Sequence, residues 1–173
     1  MQYQNFLKSK ETMEEKSNKR IPLGQRINNP LNIRFMWGQT WQGQVGSEKG
    51  FVVFDNVENG LRAAFKILLS YLGMGVLTPR SIIARWAPET ENNVQAYIGY
   101  VSNASGIHPD CPVTTDMDLL KVVRAMCYFE SNFTPTAEQL LESIKRATCC
   151  LSGKYQRMGF EYLTRSKWVA ESL

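Results

Sequence analysis

The chain changes its hydrophobic rhythm once, near Asp55, and that change limits the folds open to it. From Asn32 to Phe54 the residues favour short strands: Asn32-Ile-Arg-Phe35, a Gly- and Trp-rich stretch, then Phe51-Val-Val-Phe54. Gly38, Gly43, Gly46 and Gly50 punctuate this region as hairpin chemistry would. Beyond it, apolar residues return at helical spacing. Leu61, Ala64, Phe65, Leu68 and Leu72 follow an i, i+3, i+4, i+7, i+11 series, which is one face of a helix. Asp55 and Glu58 stand three apart before it, like a capping box, and Gly73 and Gly75 stop it.

Four more helices follow. Thr78 as N-cap with Pro79 at the first helical position opens a short one that ends at Ala87-Pro88. The next runs from about Glu91 to Asn103, buries Val94, Tyr97, Ile98 and Val101, and ends at Gly106. Thr115 or Asp116 caps a helix to about Ser131, with Leu119, Val122, Val123 and Met126 inward. Thr134-Pro135 starts the last of the four, with Leu140, Leu141 and Ile144 inward. Lys154 to Leu173 is amphipathic and reads as helical, with Tyr155, Met158, Tyr162 and Trp168 as its apolar contacts. The expected fold class is α+β, mostly helical, with a small antiparallel sheet near the N-terminus. Residues 1–20 read as a flexible polar arm, and 21–173 as a single domain.

Composition narrows the function classes. At 43% apolar and 11% aromatic residues the chain can build a real core. A net charge of +4 offers mild attraction to a polyanion, such as an anionic glycan, a membrane surface or nucleic acid, and equally serves solubility. The basic residues are scattered without a stripe or motif, so a nucleic-acid partner is not expected. No run is long and apolar enough to span a membrane, and residues 1–20 lack the apolar centre of a signal peptide. A target outside the cytoplasm would therefore require delivery, by a virion or an injection machine. Cys111, Cys127, Cys149 and Cys150 lack C-x-x-C spacing and His108 is the sole histidine. Reduced thiols are expected, with no metal site and no cofactor.

Glu130 is where the helix pattern becomes chemical. At ~100° per residue it falls within ~20° of Leu119 and Val123 and ~40° of Met126, on the buried stripe. Burial and the negative end of the helix dipole both disfavour its charged form, which is how a glutamate becomes a general acid near neutral pH. The alternative is a last-turn carboxylate that reaches water or pairs with Arg124.

Three resemblances bear on this residue. Ala125-Met-Cys-Tyr-Phe-Glu-Ser-Asn-Phe-Thr-Pro135 resembles the catalytic-helix segment of lysozyme-like lytic transglycosylases, with Asn132 where those enzymes usually carry glycine. Asn29 to Phe54 resembles the strand region of bacterial cell-wall glucosaminidases, in which the catalytic helix precedes that region; here it follows, as in a circularly permuted lysozyme-like fold. Residues 28 to 145 are similar to phage virion proteins of the structural protein P5 family. The shared words are Asn29-Pro-Leu-Asn-Ile-Arg34, Trp41-Gln-Gly43, Phe51 to Phe54, Gly60 to Ala64, and Arg85-Trp-Ala-Pro88 with Glu91-Asn-Asn93.

These resemblances imply a lysozyme-like domain from a phage or prophage that cleaves peptidoglycan, as a lytic transglycosylase or a muramidase or glucosaminidase. Glu130 would be its single acid and base, with Glu91 the second choice. Trp37, Trp41 and Trp86 would stack on sugar faces, and Asn32, Arg34 and Asn92 would bind N-acetyl and carboxylate groups. Each has a plainer role: Trp86 suits a core, Arg34 suits an ion pair, Asn32 suits the turn, and Glu91 suits a helix start. The expected partners are peptidoglycan strands and other virion proteins. The expected location is the virion, or the bacterial cytoplasm before delivery to the wall. The competing expectation is a non-catalytic structural or glycan-binding virion protein on the same fold.

Overall fold

The computed structural model describes residues 21–87 and 93–149. Pro22, with no N–H to leave unpaired, precedes a single turn of helix, α1 (Leu23–Arg26). The chain then turns twice through the left-handed region, at Asn28 (φ 55°) and Asn32 (φ 52°). Asparagine is among the few non-glycine residues that tolerate this conformation. Between them Asn29 is fully buried. Its Nδ2 donates to the carbonyls of Ile33 and Val52, both at 2.9 Å, and its Oδ1 accepts from Ile33 N at 2.8 Å. One side chain thus closes its own turn and ties that turn to the sheet.

The sheet is a hairpin of β1 (Gln44–Glu48) and β2 (Phe51–Phe54), antiparallel, with Glu48 opposite Phe51. Lys49 (φ 51°) and Gly50 (φ 83°) make the two-residue turn, both in the left-handed region that matches strand twist. A register shift between Gln44 and Gly46 leaves Val45 exposed. The expected strand at Asn32–Phe35 reduces to one bridge, Arg34 to Phe51. The left-handed backbone at Asn32 cuts the extended run short, and Asn29 occupies hydrogen-bonding groups of both Ile33 and Val52.

Five longer helices follow: α2 (Val57–Gly73), α3 (Pro79–Trp86), α4 (Val94–Ser105), α5 (Asp116–Ser131) and α6 (Ala137–Thr148). The fold class is α+β, mostly helical, as the periodicity implied. The caps explain most boundaries. Thr78 and Ser81 cap α3 reciprocally, as do Thr115 and Asp118 for α5. Three starts differ from expectation, that of α4 falling at Val94, capped by Asn93, in place of about Glu91. Asn56, not Asp55, caps α2, accepting from Asn59 N at 2.9 Å, while Asp55 accepts from the Asn59 side chain at 2.7 Å. Helix α6 begins after Thr136, which forms a capping box with Gln139, so Thr134-Pro135 lies outside it. Gly106 ends α4 at φ 72°. Residues 1–20, Glu91, Asn92, Cys150 and Lys154 to Leu173 lie outside the described residues.

Helix α2 lies along α6, and α4 along α5. Leu61, Phe65, Leu68, Leu72, Ile82, Ile83, Tyr97, Val101, Leu119, Val123, Met126 and Leu140 form one continuous core with Leu31, Val52 and Phe54. The Asn28–Asn32 turn rests directly on α2, because Gly60 has no Cβ; one there would run into the Asn28 carbonyl. Asn29→Ala leaves buried backbone groups of Ile33 and Val52 without partners. It should cost roughly 2–3 kcal/mol, read as a lower urea midpoint at unchanged m-value. A loss under about 1 kcal/mol would mean that the turn is held by other contacts.

Candidate active site

Two segments a hundred residues apart meet at Glu130. Helix α5 supplies the carboxyl in its last turn and stops at Asn132 (φ 51°), whose N–H donates to the Tyr128 carbonyl at 2.8 Å. Asparagine here takes the left-handed cap that glycine favours, so Asn132 leaves the helix end intact. From α1, Gln25 Nε2 donates to the carbonyls of Ser131 (2.8 Å) and Asn132 (2.9 Å), satisfying acceptors that α5 leaves unpaired. Gly24 permits the approach: a Cβ there would strike Ser131 Oγ, the Asn29 carbonyl and Asn32 Oδ1. The buried Ser131 hydroxyl has no hydrogen-bond partner among the described residues.

With α1 seated on α5, Asn32 Nδ2 donates to Glu130 Oε2 at 3.0 Å. Glu130 is half-buried. Burial pushes its pKa above the ordinary glutamate value; the Asn32 amide and the Tyr97 hydroxyl act in the opposite direction. Tyr97 is fully buried, and its ring stacks on Phe129 at 4.0 Å with planes 9° apart. Its hydroxyl lacks a hydrogen bond of good geometry yet interacts with the Glu130 carboxyl. Burial first, and then that carboxyl, raise the Tyr97 pKa well above the phenol range. The Cys127 thiol, also buried, is raised by the same two causes.

Asn32 belongs to a second feature as well. It lines an open cavity of about 310 Å³ with Arg34, Met36, Trp41, Tyr71 and Trp86. Tyr71 and Trp86 meet edge to face at 6.4 Å, and the Arg85 guanidinium lies 4.9 Å over the Tyr71 ring. Four of the residues singled out in the sequence, Asn32, Arg34, Trp41 and Trp86, therefore line one cavity that borders Glu130 through Asn32. Trp41 and Trp86 are each half-buried against the core with one side on the cavity. Arg34 packs over Phe51 at 5.7 Å. Trp37 stands apart, 92% exposed, with its ring edge-on to Phe35 at 5.4 Å. Glu91 and Asn92 fall outside the described residues; α4 begins at Val94, with Asn93 as its cap.

Gln25, Tyr71 and Tyr97 are the site residues that the sequence did not single out. Tyr97 sat correctly on a buried stripe, but periodicity says nothing of what its hydroxyl faces. Gln25 lies in a one-turn helix with no pattern to read. Among the described residues no three His, Cys, Asp or Glu side chains converge as metal ligands, and no helix is long and apolar enough to cross a membrane.

An α+β domain with a half-buried carboxyl beside an aromatic cavity is the class that fold and geometry define. No family model matches the chain. Over 117 residues it is 37% identical to Protein P5 of Pseudoalteromonas phage PM2, an alignment covering 65% of this chain and 72% of that protein. The chain belongs to the family of this phage protein.

A raised glutamate pKa in the folded state means that the fold holds the proton more tightly than the unfolded chain does. The associated stability is present below the ordinary value of 4.5 and is lost as pH rises through the folded pKa. Glu130→Gln keeps an acceptor for Asn32 and removes the charge. The variant should melt higher than wild type at pH 7, and the gap should close below pH 4.5. Thermal unfolding across pH checks this; an equal or lower melting temperature at pH 7 would show that the carboxylate is not penalised.

Proposed function

We propose that this protein is a virion-associated, lysozyme-like enzyme that cuts peptidoglycan strands as a lytic transglycosylase, with Glu130 as its acid and base. One observation carries the reading: a single amide, Asn32, joins a carboxyl of raised pKa to a cavity walled by Trp41, Tyr71 and Trp86. Aromatic walls suit the apolar faces of pyranose rings, and the Arg34 and Asn32 side chains suit carboxylate and N-acetyl groups. Trp37, exposed on its loop, and Asn92 would extend this grip on the strand. Glu91 remains the second candidate acid. Membership of a phage protein family fits delivery in a virion among other virion proteins, with the bacterial cytoplasm as the place of synthesis.

Hydrolysis of a glycosidic bond ordinarily takes two carboxylates. A transglycosylase needs one. The Glu130 carboxylic acid gives its proton to the glycosidic oxygen as the bond from that oxygen to the anomeric carbon breaks. The substrate's N-acetyl oxygen stabilises the anomeric carbon. The same sugar's 6-hydroxyl then closes on that carbon and returns its proton to the Glu130 carboxylate. An anhydro sugar forms, and the enzyme regains its starting protonation state. Burial keeps the acid protonated to higher pH than a surface glutamate, as the first step requires.

A non-catalytic, glycan-binding virion protein is the second reading. It is favoured by the Asn32 hydrogen bond itself, which already occupies Glu130 Oε2 from within the fold. Turnover of purified peptidoglycan, with released sugars identified by mass, separates the two. Wild type should release anhydro-muramyl products, and Glu130→Gln should reduce the rate by at least about a hundredfold, the lower range for a general acid. Reducing-end products would replace the transglycosylase with a hydrolase. Activity surviving in Glu130→Gln would move the acid to Glu91. Inactivity of a folded wild type would leave the binding protein.

A further inference from the structure

The α4–α5 pair carries a second cavity that the Glu130 chemistry does not use. It measures about 480 Å³ and opens between the last turn of α4 and the outer face of α5. Lys121, Arg124 and Tyr128 line it from α5; Tyr100, Asn103 and the Ser105–Gly106 helix end line it from α4. Lys121, Arg124 and Tyr128 are spaced i, i+3 and i+7, so both cations and the phenol ring share one helix face. Glu130 is two residues beyond Tyr128, about 200° further round the helix, and therefore points away from this cavity.

The walls combine three chemistries. Tyr100 and Tyr128 stack at 5.7 Å with planes 14° apart, and Tyr128 is 46% exposed, so its ring presents an aromatic face backed by Tyr100. Phe129, 37% exposed, lies next to this pair, 5.6 Å from Tyr100 with its plane tilted 44° and outside the cavity lining. A contiguous aromatic patch left in water calls for a use. Beside the aromatic face stand the Lys121 ammonium and the Arg124 guanidinium, the latter a fork matched to carboxylates. On the α4 side are the Asn103 amide and the terminal carbonyls of a helix, which accept from hydroxyls.

We propose that this groove is a separate binding site for a carboxylate-bearing saccharide. The sugar ring lies on the exposed face of Tyr128, its carboxylate meets Lys121 and Arg124, and its hydroxyls meet Asn103 and the end of α4. The flat aromatic surface favours a sugar over a free anion, and the paired cations favour an acidic sugar over a neutral one. The site is independent of catalysis: it would hold a wall glycan whether or not Glu130 cuts one.

The test is titration of the full-length, isotope-labelled protein with N-acetylmuramic acid, N-acetylglucosamine and inorganic phosphate, followed by amide chemical shifts. N-acetylmuramic acid should move resonances of residues 103–106 and 121–128, with N-acetylglucosamine at least tenfold weaker there. Tyr128→Ala, at an exposed position, and Lys121→Gln with Arg124→Gln should each weaken that binding at least tenfold. Glu130→Gln should leave it unchanged, so failure here and failure of the cleavage reading are distinguishable. Equal binding of the two sugars, shifts confined to the Asn32–Trp41 side, or retention of affinity in the Lys121/Arg124 variant would overturn the proposal. Phosphate binding as tightly at the same residues would make this a free-anion site instead.

Discussion

The three hydrogen bonds of the Asn29 side chain hold the geometry on which the rest depends. Asn29 is buried without access to water, and its bonds serve the Ile33 N–H and the Val52 carbonyl, which would otherwise be dry polar groups, while the Ile33 carbonyl also accepts from Val52 N. Those bonds fix the turn whose next left-handed residue is Asn32, and the direction of Asn32 decides what Glu130 meets. The same turn leans on α2 at Gly60 and on α5 through Gly24. At Gly60 the close neighbour is the Asn28 backbone carbonyl; at Gly24 it is the Ser131 hydroxyl, with the Asn29 carbonyl and the Asn32 side chain beside it.

Glu130 sits between opposing effects. Burial disfavours its charge, while Asn32 and Tyr97 favour it, and burial prevails. A carboxyl sealed in the core would be neutral but out of reach; one on the surface would be accessible but an ordinary acid. Glu130 is half-buried, with an aromatic cavity on the other side of Asn32. A carboxyl whose charge is disfavoured by burial is a cost to folding at neutral pH.

Much of the fold was legible because helices announce themselves by period and cap. The stripes at Leu61–Leu72, Val94–Val101, Leu119–Met126 and Leu140–Ile144 are all buried. Errors arose where two cap residues competed within a turn, Asp55 against Asn56 and Thr134 against Thr136, since either fits the local sequence and only the packed backbone chooses. The strand expected at Asn32–Phe35 failed for a tertiary reason, the left-handed asparagine that serves the site. At the site, Glu130 could be placed on its helix face from spacing alone, and Asn32, Trp41 and Trp86 from their sequence words. Their convergence could not, because it rests on Gln25 reaching across 106 residues to a helix end. Trp37 shows the limit of reasoning from residue type: it stands 92% exposed against Phe35 and is not among the residues that line the cavity.

The clasp between Gln25 and the end of α5 also governs when the site comes into being. It joins positions 106 residues apart, and closing so long a loop carries an entropic cost that only the packed core between them can offset. Until that closure a nascent or partly folded chain carries at position 130 an ordinary, hydrated glutamate. The perturbed acid is therefore a property of the packed chain and of neither segment alone.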